Sequence, residues 1–269
     1  MRVYKLVCCC RKAANCGFYC YLMKGSGVFM TLTRYGFREW GLGGLLALAL
    51  LVGCYFLAKY VNLYLGIIPG IFILLVYGFV AFFFRNPRRV LPEDPALLVS
   101  PADGTVRDIT VVGDLEQAPF TGKALRIGIF LSVLSVHVNR VPAELQVVSK
   151  HYREGEYLDA RDPDCARVNE AMTIAGNANA AGKKFPMAIR QISGAIARRI
   201  VCPVEPGALV KRGKIYGMIK FGSRTELYLP VDDEFEILVK PGDKVKGGCS
   251  VIARIRSNNE EKAAENEQA

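Results

Sequence analysis

The sequence predicts a mainly β protein: a β-sandwich or barrel-sandwich-like domain with pseudo-twofold hairpins, carried behind a two-helix transmembrane hairpin. Three observations predict it. Two uncharged apolar runs fill residues 41–58 and 63–84. From Leu97 onward, short β-rich runs are bounded by Gly, Pro and Asp, and no long amphipathic helix is evident. A frame P-G-x-x-V-K-x-G occurs twice, as PGALVKRG (206–213) and PGDKVKGG (241–248), 35 residues apart. Each copy reads as a turn, an inward Val and a second turn, so two copies suggest stacked equivalent hairpins.

Along the chain, residues 1–29 form an extension of little pattern, holding Cys8, Cys9, Cys10, Cys16 and Cys20. It has neither the apolar run nor the small-residue cleavage site of a signal peptide. Met30 opens a more regular stretch and is the expected true start. Residues 30–40 are juxtamembrane. Each of the next two runs is long enough to cross a hydrocarbon layer of ~30 Å as a helix. Pro69 is expected in the first turns of the second, where a missing N–H does little harm. Arg34 and Arg38 precede the pair and Arg85, Arg88 and Arg89 follow it, with only Lys59 between. The positive-inside rule therefore places both outer flanks, and the domain at 85–256, on the cytoplasmic side of the cell (inner) membrane. Residues 257–269 read as a solvated tail.

The chain has 269 residues and a net charge of +10. That charge fits positive-inside topology and attraction to an anionic membrane surface. Its basic residues are dispersed, with no aromatic-plus-basic motif, which argues against a nucleic-acid partner. The nine cysteines form no C-x-x-C pair and the chain has two histidines, so neither a disulfide framework nor a metal site is expected.

The chemistry centres on Gly222-Ser223, in the hairpin midway between the two repeat copies. Gly-Ser ordinarily marks a turn. In a strained turn, however, a Ser hydroxyl can attack the preceding carbonyl, and Gly offers no side chain to hinder it. Such an attack needs a base, usually His, and an orienting carboxylate. His137 lies in an apolar strand pattern and by itself reads as a core histidine. His151 reads as an exposed loop residue, and Asp103 as a D-G turn.

The motifs FFFRNPRR (82–89), SPADGTV (100–106), FLSVLSVHVNRVP (130–142) and IKFGSRTELYLP (219–230) occur in that order behind the apolar runs. Together they resemble phosphatidylserine decarboxylase in its short, archaeal-type form, over roughly 34–256. The resemblance implies a self-processing lyase that converts phosphatidylserine to phosphatidylethanolamine and CO2 in phospholipid biosynthesis. It implies that Ser223 becomes a covalent pyruvoyl cofactor, which forms a Schiff base with the substrate amine, and that no metal is needed. Cleavage between Gly222 and Ser223 would leave a β chain, 1–222, paired with an α chain, 223–269. Asp103 matches the acidic member of the processing triad and His137 its base. Longer family members carry a second histidine three residues on, where this chain has Arg140. Either His137 serves both steps or Arg140 assumes one. Arg140 and Arg224 are candidates for the lipid phosphate. The partners implied are a membrane phospholipid substrate and the sister chain, with the higher oligomeric state left open.

One alternative class is a non-enzymatic, membrane-tethered adaptor or carrier-like module, since the repeat frame also resembles biotinyl and lipoyl domains. A carrier should offer a Met-Lys dipeptide at the central hairpin, and this chain offers Phe-Gly-Ser-Arg.

Overall fold

The computed structural model describes residues 30–113, 123–162, 165–195, 199–220 and 222–256. The N-terminal extension with its five cysteines, the tail from 257 and Phe221 lie outside the described residues.

The apolar runs form helices α1 (Gly43–Tyr60) and α2 (Leu63–Phe83), close to the expected bounds. Their large side chains, such as Leu45, Leu46, Ile68, Phe72 and Leu75, are exposed, as lipid-facing residues would be. Both helices are long and apolar enough to cross a membrane. Asn62 caps α2 by accepting from the Tyr64 N–H at 2.9 Å. Pro69 is the seventh residue of α2, within its first two turns, as expected.

The outer ends of the two helices are tied together. Strand β1 (Met30–Leu32) pairs antiparallel with β2 (Arg85–Pro87), and the Thr33 N–H donates to the Phe84 carbonyl at 2.8 Å. A short 3-10 turn (Arg34–Gly36) and a π-helical turn (Arg38–Leu42) then lead into α1. The Trp40 indole N–H returns to the Thr33 carbonyl at 3.0 Å.

The β domain contains β3 (Leu97–Val99), β4 (Gly104–Val112), β5 (Ala124–Leu131), β6 (Val138–Arg140), β7 (Glu144–Arg153), β8 (Ala171–Ala180), β9 (Lys183–Ile192), β10 (Arg199–Val201), β11 (Leu209–Val210), β12 (Ile215–Lys220), β13 (Ser223–Pro230), β14 (Phe235–Ile237), β15 (Lys244–Val245) and β16 (Val251–Ile255). Eight of these make one curled sheet in the order β11-β7-β8-β9-β13-β5-β4-β15. Two three-stranded sheets accompany it, β10-β12-β6 and β14-β16-β3. Apolar side chains of the large sheet, among them Ile127, Ile129, Leu145, Ile174, Ile189 and Leu227, join Leu98 and Ile252 of the β14-β16-β3 sheet in one core. A single helical turn, α3 (Cys165–Val168), lies between β7 and β8.

The repeat is structural. Its copies supply β11 and β15, the two edge strands of the large sheet. The Gly207 N–H donates to the Val147 carbonyl at 2.9 Å, and the equivalent Gly242 N–H to Val106 at 2.8 Å. Val147 and Val106 each stand at a register shift, in β7 and β4. The predicted pseudo-twofold is therefore present down to its hydrogen bonds.

Two local expectations are corrected. The β-rich runs of the sequence leave out residues 171–192, yet β8 and β9, ten residues each, form a hairpin with Ala181 and Gly182 both at positive φ in its turn. Its small residues, Ala175, Ala178 and Ala188, have weak β propensity, but neighbouring strands bury them. His151, expected in a loop, lies within β7 opposite Thr173.

Candidate active site

The site begins where β12 ends. Gly222 separates β12 from β13 and adopts φ +58, in the left-handed region that glycine enters without a Cβ penalty. The nearest atom to a Cβ built there is Val133 Cγ2 at 4.0 Å, so conformation rather than space calls for glycine. The Gly222 carbonyl lies against the backbone of Gly194, where an added Cβ would sit 2.5 Å from that oxygen. Ser223 follows as the first residue of β13. It is fully buried, and its hydroxyl has no hydrogen-bond partner among the described residues. A buried, unpaired hydroxyl is costly, so its retention points to chemistry.

His137 meets this hinge. Its Nε2 accepts the Gly222 N–H at 3.3 Å. Its Nδ1 lies 2.9 Å from the Ser135 carbonyl, which can only accept, so the ring proton sits on Nδ1 and the lone pair on Nε2. The ring is fully buried, with Phe83 4.3 Å away, centroid to centroid. Burial pulls its pKa down from 6.5 to about 4, against a smaller opposing effect of the Ser135 carbonyl. The imidazole is neutral at cellular pH. His137 does not lie within a strand as the pattern suggests: it ends a turn in which the Ser135 N–H donates to the Ser132 carbonyl, just before β6.

The FFFRNP segment builds the housing. Phe83 and Phe84 at the end of α2 pack with Val136, Val138 and Met218. Arg85 donates to the Phe82 carbonyl at 2.7 Å and to the Leu134 carbonyl at 2.6 Å, and so holds the turn that carries Ser135. Phe83 and Arg85 therefore act on His137, roles the motif alone does not disclose.

Asp103 is close to this housing without touching the imidazole. Its Oδ2 receives Arg89 Nη2 at 2.6 Å, and its Oδ1 the Gly247 N–H at 2.8 Å. Its charge acts on Arg85, whose charge in turn acts on His137.

Arg140 and Arg224 are occupied by protein partners. Arg140 donates to the Gly213 carbonyl at 3.0 Å, to Asn86 Oδ1 at 2.9 Å and to the Pro87 carbonyl at 3.3 Å. It ties the FFFRNP segment to the first repeat copy. Arg224 reaches Glu226 through Nε at 2.8 Å and both Asp108 oxygens through Nη2 at 2.8 and 2.7 Å. Burial works against its charge, but Glu226 and Asp108 together raise its pKa. Arg126 completes this cluster at 3.2 Å from Asp108.

The opposite face of β13 carries a second polar group. Asn139 donates to Thr225 Oγ1 at 3.0 Å and accepts from Gln191 Nε2 at 2.8 Å, all three being fully buried. Ser223 shares that face with Thr225. Among the described residues no three His, Cys, Asp or Glu side chains converge as a metal site would need. A cavity of about 300 Å³ beside Pro230 and Asp232 lies at the far end of β13 from Ser223.

A buried, neutral histidine thus meets a left-handed Gly-Ser hinge, mounted on a curled β domain behind two apolar helices. Residues 76–253 match the family profile described as phosphatidylserine decarboxylase. The chain belongs to the phosphatidylserine decarboxylase family, which are carboxy-lyases. It is 45% identical over 203 residues to a phosphatidylserine decarboxylase proenzyme of Carboxydothermus hydrogenoformans, covering 74% of this chain and 89% of the relative. The proenzyme of Rhodopirellula baltica is 43% identical over 203 residues, covering 73% and 82%. That of Trichlorobacter lovleyi is 40% identical over 233 residues, covering 87% of this chain and all of the relative. Nothing in these comparisons favours the adaptor reading.

Proposed function

We propose that this chain cuts itself between Gly222 and Ser223, converts Ser223 into a pyruvoyl group, and decarboxylates phosphatidylserine to phosphatidylethanolamine. The observation that carries this reading is the contact of His137 Nε2 with the Gly222 N–H beside the unpartnered Ser223 hydroxyl.

In the processing step the Ser223 Oγ attacks the Gly222 carbonyl carbon, and its proton passes to the lone pair at His137 Nε2, which releases the Gly222 N–H as it does so. The Gly222–Ser223 amide becomes an ester, with the freed nitrogen taking a proton. Loss of the Ser223 Cα proton then breaks the Cβ–Oγ bond, giving a Gly222 carboxylate and a dehydroalanine. Tautomerisation and hydrolysis of the latter release ammonia and leave the pyruvoyl group at the start of the α chain, 223–269. Seating the Gly222 carbonyl against Gly194 orients the carbon under attack.

Asp103 enters as a positioning residue. It anchors Arg89 and the second repeat copy, and its charge offsets that of Arg85 in the housing around His137.

The residues present fit the cofactor: the atom that would become its ketone carbon is fully buried next to a neutral histidine. The pyruvoyl group supplies the electron sink for loss of CO2. The protein's own residues do the rest. Phe83, Val136 and Met218 exclude water. His137 Nε2 takes the proton that the substrate ammonium must shed before its amine can react, and returns it to the carbon that has lost CO2. With Arg140 engaged elsewhere, His137 serves both processing and decarboxylation.

The helices α1 and α2 hold the site at the bilayer surface, with the Arg34, Arg38, Arg85, Arg88 and Arg89 flanks on the cytoplasmic side of the cell membrane. The test is direct. Purified wild-type chain should separate under denaturing conditions into fragments of 222 and 47 residues, the smaller carrying an N-terminal pyruvoyl mass. It should also release CO2 from carboxyl-labelled phosphatidylserine. A wild-type chain that stays intact with an unmodified Ser223 would sink the reading.

A further inference from the structure

A cavity of about 180 Å³ lies between the juxtamembrane turns and the β10–β12 edge, lined in part by Arg34, Tyr35, Arg38, Glu39, Arg199 and Lys220. Four cations thus surround one acid. Glu39 and Lys220 pair with each other across this cavity, joining the start of α1 to β12. Arg34, Arg38 and Arg199 have no carboxylate within ion-pair distance among the described residues; Arg34 donates to the Tyr35 hydroxyl at 3.4 Å and lies over that ring, 5.2 Å from its centroid. Three exposed guanidiniums and Lys220 around the single carboxylate of Glu39 leave an excess of positive charge at this cavity, as an anion site would need, and guanidinium suits a phosphate through its forked donors.

Its place in the molecule narrows the anion. Arg38 begins the apolar span that ends at Tyr60, so the cavity sits where that span leaves the hydrocarbon, at the level of lipid headgroups. It also shares β12 with the active site. Arg199 is paired with Lys220, and the Ile219 N–H donates to the His137 carbonyl at 3.2 Å. Lys220 precedes Ser223 by three residues, at most ~11 Å of extended chain. In a serine phospholipid two carbons separate the phosphate oxygen from the amine that must reach residue 223.

We propose that this cavity binds the phosphodiester of the lipid substrate through Arg34, Arg38 and Arg199, with Lys220 and Glu39 forming its floor. The inference rests on the decarboxylase reading above. It assigns phosphate recognition to the membrane-proximal turns rather than to Arg140 or Arg224.

The experiment uses the full-length, self-processed protein in neutral-detergent micelles that contain phosphatidylserine as the only anionic lipid. Arg38→Ala combined with Arg199→Ala should process normally, raise KM by tenfold or more, and leave kcat within about threefold. Glycerophosphoglycerol, a phosphodiester with no amine, should compete with substrate in wild type and lose that effect in the double variant. Arg199→Lys should restore part of the KM. An unchanged KM overturns the proposal. So does a KM defect that appears only when phosphatidylglycerol vesicles replace neutral micelles, since that marks general attraction to an anionic surface. If the double variant fails to process, the competition in wild type decides, and its absence counts against the site. A wild-type enzyme that processes but releases no CO2 from phosphatidylserine fails the parent reading instead.

Discussion

The Nε2 of His137 accepts the backbone N–H of Gly222 at 3.3 Å, across 85 residues of sequence. With Nδ1 held by the Ser135 carbonyl, the lone pair of this neutral ring points at the peptide that precedes the Gly222–Ser223 bond. Replacing His137 by Ala or Gln should slow self-cleavage by roughly 10²–10⁴-fold, the usual contribution of a positioned base. Time courses of fragment appearance on denaturing gels measure it. Cleavage at the wild-type rate would remove His137 from the processing chemistry.

The same ring sets the pH response. Its pKa in the folded chain is lowered to about 4, so Nε2 keeps its lone pair down to that pH. The processing rate should be level from pH 7 to about 5 and fall as pH drops through about 4. The folding linkage has the matching sign. Between about 6.5 and 4 the unfolded chain binds a proton that the folded chain does not, so this histidine lowers stability progressively as pH falls through that window. A rate profile that bends near 6.5 would contradict the burial argument.

Gly194→Ala places a methyl 2.5 Å from the Gly222 carbonyl oxygen and 3.2 Å from Ala160 Cβ. The first contact is with backbone and cannot be relieved by a rotamer change. The substitution should cost about 1–3 kcal/mol of stability and slow cleavage more than it lowers the melting temperature would suggest, because the displaced group is the carbonyl under attack. Cleavage kinetics and thermal melts on the same preparation separate the two effects.

Arg224→Leu tests whether that arginine binds lipid or holds the sheet. Removing it leaves the fully buried Glu226 and the Asp108 carboxylate with the charge of Arg126 and, for Glu226, the Tyr228 hydroxyl. A loss of about 3–5 kcal/mol is expected, as for one partner removed from a buried ion pair. The readout is denaturant unfolding of the Ser223→Ala background, where cleavage does not intervene. Stability unchanged in that background, with a raised KM in the self-processed Arg224→Leu enzyme, would return Arg224 to the substrate.

Arg85→Gln should mislay the imidazole without removing it, since Arg85 grips the Leu134 carbonyl next to Ser135. Slower cleavage with a shifted pH midpoint is expected, because Arg85 is also one of the charges that depress the His137 pKa. A purely structural role would lower the melting temperature and leave that midpoint in place.

Much of the architecture was legible in the sequence. An uncharged run of about twenty apolar residues has few alternatives to a spanning helix, and alternation with turn residues marks strands without knowledge of their neighbours. The P-G-x-x-V-K-x-G copies were legible for a similar reason: each is a self-contained turn whose glycines answer to local backbone geometry. The β8–β9 hairpin was not legible. Its Ala, Asn and Gly residues become strand only because β7 and β13 bury them on either side.

The amino-acid sequence by itself determined the two apolar helices, the β domain behind them and the repeat, and it singled out Gly222-Ser223 as the candidate for self-cleavage. Those features depend on residues close together along the chain. The family resemblance already named His137, but only the tertiary structure brought it to the hinge and decided which arginines are free. The register of β6, β12 and β13 brings His137 to Gly222, closes Asp108 and Glu226 around Arg224, and seats Arg140 on the FFFRNP segment. Arg140 and Arg224 read as phosphate ligands in the sequence because arginine carries the same charge wherever it stands. Whether that charge is available depends on carbonyls and carboxylates tens of residues away, and strand pairing alone sets those distances.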